Sequence, residues 1–122
     1  MINPRQASGV YSIINRINSR VYIGQTLVTF DKRWCEHRSK LSRGRHNNLE
    51  LQRDWLGLGE SAFEFVIIRA FNPKLGSKLR MPLIELERSI VQTSTLWLYN
   101  SPRVRYDISQ WLIDELESYR LT

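Results

Sequence analysis

Two short runs near the start of the chain, residues 9–14 (GVYSII) and 20–25 (RVYIGQ), are rich in β-branched and aromatic residues, and a polar stretch at 15–19 separates them. That pattern predicts an antiparallel hairpin. The faces taken by Tyr11 and Tyr22 depend on the turn register, because a slip of one residue turns a strand over. Downstream, Thr29 is placed to cap a helix running to about Ser42, with Asp31 in its first turn, Gly44 beyond its end, and Trp34 and Leu41 on its inner face. A second helix starts at Asn47 or Asn48 and runs to Gly59, carrying Leu51, Trp55 and Leu58 on one stripe. Residues 62–68 (AFEFVII) read as a third strand, apolar enough to be central.

Residues 72–80 (NPKLGSKLR) interrupt any regular pattern and predict a loop. Pro82 suits the first turn of a further helix that extends to residue 92 or 93. After a short apolar stretch at 96–100, the pair Ser101-Pro102 breaks the pattern. Ile108, Trp111, Leu112, Glu115, Leu116 and Tyr119 then share one face of a last, acidic helix. The fold class is therefore α/β of the α+β kind, a small antiparallel sheet flanked by helices plus an extra C-terminal helix. The 122 residues are enough for one domain and too few for two well-formed ones.

Composition narrows the chemistry. A hydrophobic content of 42% with four Trp argues against disorder, and one cysteine, Cys35, leaves no intramolecular disulfide or metal-thiolate pair. The first residues lack an apolar targeting core and no stretch approaches a membrane span, so a soluble, cytoplasmic protein with no membrane partner is expected. The net charge of +6 rests on 18 basic residues, 14 of them Arg, whose planar fork suits phosphate. The charge is also placed unevenly. Residues 32–53 carry Lys32, Arg33, Arg38, Lys40, Arg43, Arg45 and Arg53 against Glu36 and Glu50, whereas residues 107–119 carry only acidic charge. DNA or another polyanion is expected to approach the first half of the chain, with the basic residues, His46 and a close backbone approach at Gly24 as candidate contacts.

Helical spacing singles out one carboxylate. Leu83, Ile84, Ile90 and Val91 flank Glu87 at three and four residues, so it lies in the apolar stripe of its helix, while Glu85 neighbours Met81, Pro82, Arg88 and Ser89. A buried carboxylate needs a partner or a metal, so Glu87 needs one and Glu85 does not. The same spacing sets Arg33 and His37 on one face of the basic helix, where both could converge on a phosphate. Tyr11 and Tyr22 suit half-buried strand positions, and a phenol acts as a base only where an Arg or a metal lowers its pKa from about 10.

Taken in order, Gly9-Val10-Tyr11, Tyr22-Ile23-Gly24, Arg33 with His37, His46, the phrase at 59–65 (GESAFEF), Leu83-Ile84-Glu85-Leu86-Glu87 and Tyr99-Asn100 resemble the GIY-YIG nucleases, closest to the homing-endonuclease and phage branch. The resemblance covers residues 8–100, a catalytic module, and leaves 101–122 as a C-terminal extension. It implies a three-stranded antiparallel sheet flanked by helices and a DNA endonuclease that uses one divalent ion, Mg²⁺ or Mn²⁺. It also implies that Glu87 is the sole protein carboxylate on the metal, that Arg33 holds the scissile phosphate and that Tyr11 is the base or water-orienting phenol. Tyr22 and His37 would position phosphate and water, with Asn100 in support. Val10 replaces the Ile of the family name, and residues 101–122 contain no recognisable zinc finger or helix-turn-helix. The rival reading is a non-catalytic nucleic-acid-binding module on the same fold. Trp111, Leu112 and Tyr119 also make the last helix a candidate surface for a homodimer.

Overall fold

A computed structural model describes residues 3–100 together with Glu117 and Tyr119. Strand β1 (Ser8–Asn15) lies between β2 (Val21–Thr26) and β3 (Phe63–Phe71), all antiparallel. The three-stranded sheet agrees with the sequence reading, but its centre does not. β3 is apolar yet occupies an edge, and β1 is the strand buried almost throughout. Hydrophobicity alone cannot rank strands, because β1 buries Ser8, Ser12 and Asn15 by taking neighbours on both sides.

Gly9 makes the β1–β3 pairing close. Its φ of 147° lies in a region that L side chains avoid, and a Cβ there would sit 2.0 Å from the Arg69 carbonyl oxygen. One residue further on, a bulge shifts the register, so Val10 faces Arg69 while Tyr11 faces Ile67. Across the hairpin Tyr11 pairs with Gly24 and Ile13 with Tyr22, which settles the register. Tyr11, Ile13, Tyr22 and Gly24 consequently share one face, and Val10, Val21 and Ile23 share the other.

Helices cover both faces. Helix α1 (Phe30–Ser42) is capped by Thr29 as its sequence predicts, and α2 (Leu49–Leu58) by Asn48, with Gly59 at its end. Phe30, Trp34, Leu41, Leu51 and Trp55 pack on the Tyr11 face. Leu58 is largely exposed, and the inward position beside Leu51 belongs to Gln52. The predicted loop at 72–80 folds into tight 3-10 turns over Pro73–Leu79, because the Asn72 side chain caps Lys74 N–H and Pro73 starts the first turn. Helix α3 (Arg80–Thr93) follows and sets Leu83 and Leu86 against Val10, Val21 and Ile23 on the opposite face.

The chain then returns to β2. Val21 N–H donates to the Trp97 carbonyl, Tyr99 N–H to the Val21 carbonyl, and the Asn100 side chain bonds both N–H and C=O of Ile23 at 2.7 and 2.8 Å. Residues 97–100 thus cap part of the free edge of β2, which would otherwise offer unpaired backbone groups. Arg20 secures this segment by donating to the Leu98 carbonyl, lying over the Trp97 and Tyr99 rings and pairing with Glu50. Burial, then the Asp54 carboxylate, pushes the Tyr99 hydroxyl up to about 12, so it stays protonated and donates to Asp54 while Asn15 donates to it. The acidic last helix falls almost wholly outside the described residues, as do Ile108, Trp111, Leu112, Glu115 and Leu116. Tyr119 is described and packs with the α3-side cluster.

Gly24 is a second tight seat in the hairpin, since a Cβ there would lie 2.5 Å from the Tyr11 ring, itself 1% exposed. The space beside this glycine is taken by the Tyr11 ring. Gly24→Ala is expected to cost about 1–3 kcal/mol in urea unfolding by overpacking. An unchanged midpoint would show that the Tyr11 ring has room to move.

Candidate active site

His37 occupies a position in α1 that the apolar stripe reserves for the core. Phe30, Trp34, His37 and Leu41 are all buried at helical spacing, and His37 is 2% exposed. Its Nε2 lies 2.5 Å from the Tyr11 hydroxyl, and its Nδ1 lies 2.8 Å from His46 Nε2. The far nitrogen of His46, Nδ1, accepts the Asn48 backbone N–H at 3.0 Å. A continuous chain of hydrogen bonds thus runs from the central strand through α1 to the start of α2. Gln52 holds its far end by accepting His46 N–H and donating to the Leu41 carbonyl. The Tyr22 ring stands edge-on to both imidazoles, at 5.5 and 5.7 Å between centroids.

Charge and burial act together on this chain. Burial, helped by the positive charges of Arg33 and Lys40, lowers His37 to about 3 and His46 to about 4, so both imidazoles are neutral near pH 7. Tyr11 moves above the ordinary phenol value, chiefly by burial and then by Tyr22, although the Arg33 charge and hydrogen bond pull the other way. Burial wins, and Tyr11 is a neutral phenol. Arg33 also pairs with Glu36 at 2.9 Å, which leaves its guanidinium held between Glu36 and Tyr11 at the margin of the α1 stripe.

A cleft of about 540 Å³ opens at the β2 edge, lined by Tyr22 and Gln25 of β2, Asn47 and Asn48 before α2, Ile84, Glu87 and Arg88 of α3, and Asn100. Tyr22 projects from the α1–α2 face and Gln25 from the α3 face, so the cleft wraps around the strand edge and reaches both layers. This is how Glu87, across the sheet from Arg33, still acts electrostatically on Tyr11. Glu87 is half-buried, as its spacing suggests. The contrast drawn with Glu85 fails: Glu85 is half-buried too, and its Oε2 lies buried with no hydrogen-bond partner among the described residues. Pro82, one turn before it, is itself buried, so that flank of α3 is less open than residue types imply.

Other expected contacts are redistributed. His46 is buried with both ring nitrogens engaged, so it is an internal link and not a phosphate contact. Lys40 faces the histidine pair, whereas Arg38 lies over Phe65 and towards Glu60. Lys32, Arg43 and Arg45 are exposed. Asn48 and Gln52 were not singled out from sequence, yet each joins the chain. The signal was present in Gln52, a polar residue beside Leu51 on the inner stripe.

Among the described residues no three His, Cys, Asp or Glu side chains form a metal cluster, and the cleft offers one carboxylate, Glu87, among amides and a phenol. Such an oxygen set fits a hard cation that keeps most of its water and does not fit a zinc site.

The fold is a three-stranded antiparallel sheet between helices, with a buried Tyr–His hydrogen-bond chain on one face and a cleft carrying a single carboxylate at the β2 edge. The family model for the GIY-YIG catalytic domain matches residues 7–100. The chain belongs to that family, as a catalytic domain of the endonuclease class. It is 42% identical over 48 residues to the intron-associated endonuclease 1 of Enterobacteria phage T4, a match spanning 39% of this chain and 19% of that relative. The chain thus spans about a fifth of the length of the curated relative it matches. Two solved structures of the catalytic domain of the intron endonuclease I-TevI are similar. A point mutant gives a TM-score of 0.61 at 30% identity over 70% of this chain and 80% of that one. The other gives 0.59 at 28% identity over 77% and 99%. No helix among the described residues is long and apolar enough to cross a membrane.

The lowered histidines link stability to pH. Both bind protons more readily in the unfolded chain, near 6.5, than in the folded one, so stability is complete above pH 7 and falls as the pH drops below 6.5. Between pH 7.5 and 5.5 the pair is expected to account for roughly 2–3 kcal/mol. Urea titrations across that window measure the slope, and His46→Gln should flatten about half of it.

Proposed function

We propose that this chain is a divalent-metal-dependent DNA endonuclease that hydrolyses phosphodiester bonds at the β2 edge. The cleft at that edge, lined by both Tyr22 and the Glu87 carboxylate, carries the reading, and membership of the family supports it. Glu87 would hold one Mg²⁺ or Mn²⁺, with water and cleft amides completing the coordination. When bound, such an ion supplies Lewis acidity toward a phosphoryl oxygen and the departing 3′ oxygen.

Arg33 stays cationic and is held by Glu36, so its remaining donors can clamp the scissile phosphate and stabilise the charge that builds there. Tyr11, a buried phenol beside Arg33, would be the base or water-orienting group that the family resemblance implies. Tyr22 walls the cleft and positions the substrate. His37 supports the site through its hydrogen bond to Tyr11. Asn100 supports the site by holding the Ile23 backbone in place. Lys40 with the exposed Lys32, Arg43 and Arg45 supplies a basic approach for the DNA backbone, whose binding weakens with salt.

Incubation with supercoiled plasmid tests this directly. Nicking is expected with Mg²⁺ or Mn²⁺ and not with chelator. Glu87→Ala should abolish it, and Arg33→Ala should slow it on the order of a hundredfold or more. Salt-sensitive binding without metal-dependent nicking, unchanged by Glu87→Ala, would instead identify a non-cutting nucleic-acid-binding module.

A further inference from the structure

On α3 the residues that line the cleft form a single stripe. Glu87, Arg88, Val91 and Gln92 follow Ile84 at three, four, seven and eight residues, so one face of the helix makes that whole wall. Ile84 to Gln92 covers about 12 Å of helix axis, and a DNA strand advances about 3.4 Å per nucleotide, so the wall is long enough for about three phosphates. Glu87 accounts for one place on it. Among the described residues lining the cleft Arg88 is the one cation, and the basic residues of α1 are not part of that lining. Gln92, a turn beyond Arg88, adds an amide, and Gln25 of β2 borders the same space.

We infer that Arg88 binds a DNA phosphate next to the scissile one, with the Gln92 amide beside it, and so holds the strand in the cleft whether or not a metal is present. Charge gives the reason. Glu87 is the one carboxylate of the lining, and by itself it repels a phosphodiester. Arg88, the next residue along the helix, offsets that repulsion and offers a planar fork that matches two phosphate oxygens. Both Arg88 and Gln92 are half-buried, so they lose less freedom on binding than fully exposed side chains would. Glu87 then serves one phosphate while Arg88 fixes its neighbour, which sets the register of the strand along α3. Such a contact is made equally in the ground state and the transition state, so its loss raises KM and leaves kcat in place.

The part Arg88 plays in cleavage rests on the endonuclease reading, whereas its binding of DNA is measurable without any cutting. Titration of a short DNA duplex with the whole protein in chelator, over a range of salt, reads that binding. Arg88→Gln is expected to weaken it on the order of fivefold and to reduce the slope of log Kd against log salt by about 0.9, the loss of one phosphate contact. Arg88→Lys keeps the charge and should keep the slope, with weaker binding because the fork is gone. Arg80→Gln removes the same charge from the exposed start of α3, outside the cleft lining, and should leave both affinity and slope near those of the parent. In plasmid nicking with Mg²⁺, Arg88→Gln should raise KM by the same factor at unchanged kcat. Equal effects of Arg88→Gln and Arg80→Gln would reduce Arg88 to general charge and overturn the contact, as would a loss of kcat with unchanged affinity. If urea unfolding shows that Arg88→Gln does not fold, Arg88→Lys decides: weaker binding at the parent slope upholds the contact, and binding equal to the parent overturns it. A parent that binds as expected yet nicks no plasmid refutes the endonuclease reading and leaves the Arg88 contact standing. A parent that nicks while Arg88→Gln binds as tightly does the reverse.

Discussion

The contact between Tyr11 and His37 joins the two halves of this structure. It links the central strand to the first helix inside a layer where water is excluded, and a polar group there must find a partner or lose of the order of 1–3 kcal/mol. Each partner creates the next demand. Tyr11 occupies the space above Gly24, His37 needs a second contact and finds His46, and His46 needs Asn48. Gln52 closes the series by bonding both His46 and the end of α1. A half-satisfied series would be worse than an apolar core, so these residues stand or fall together.

The second constraint is an edge left partly open. β2 pairs with β1 on one side only, and residues 97–100 cover part of its other side through backbone bonds and the Asn100 amide. Where that cover ends, the cleft begins. An open strand edge is the one place at which side chains from both faces of a sheet can meet, since the sheet itself separates them elsewhere. Tyr22, against the histidine pair, comes from the α1–α2 side, and Glu87 comes from α3 on the other. Arg20, Asn15 and Asp54 contribute from a distance by anchoring the segment that delivers Asn100.

Much of this was legible in the residues. Local signals placed Thr29 as a cap, the start of the second helix at Asn47 or Asn48 and its end at Gly59, because helix ends depend on neighbours within a few residues. Runs of β-branched and aromatic residues located the strands, and helical spacing the half-buried Glu87, for the same reason. The ordered Tyr, Arg, His, Glu and Asn blocks carried the family, since their identities reflect chemistry and not packing. The misreadings share a different cause. β3 looked central by composition, but strand order depends on which chain segments meet. Glu85 looked free, and His46 looked like a DNA contact, because spacing records a residue's own element and not what packs on it.

By itself, then, the sequence determined the elements, their caps, the basic first half and the list of chemically able residues, all properties set by short-range spacing and side-chain type. Tertiary structure alone decided that Tyr11 sits on Gly24, that His37 turns inward to His46, and that Glu87 meets the opposite wall around an edge strand. Those outcomes hang on hairpin register, a bulge after Gly9 and the return of residues 97–100 to β2. Each joins positions far apart in the chain, and no local pattern specifies which distant group will satisfy a buried one.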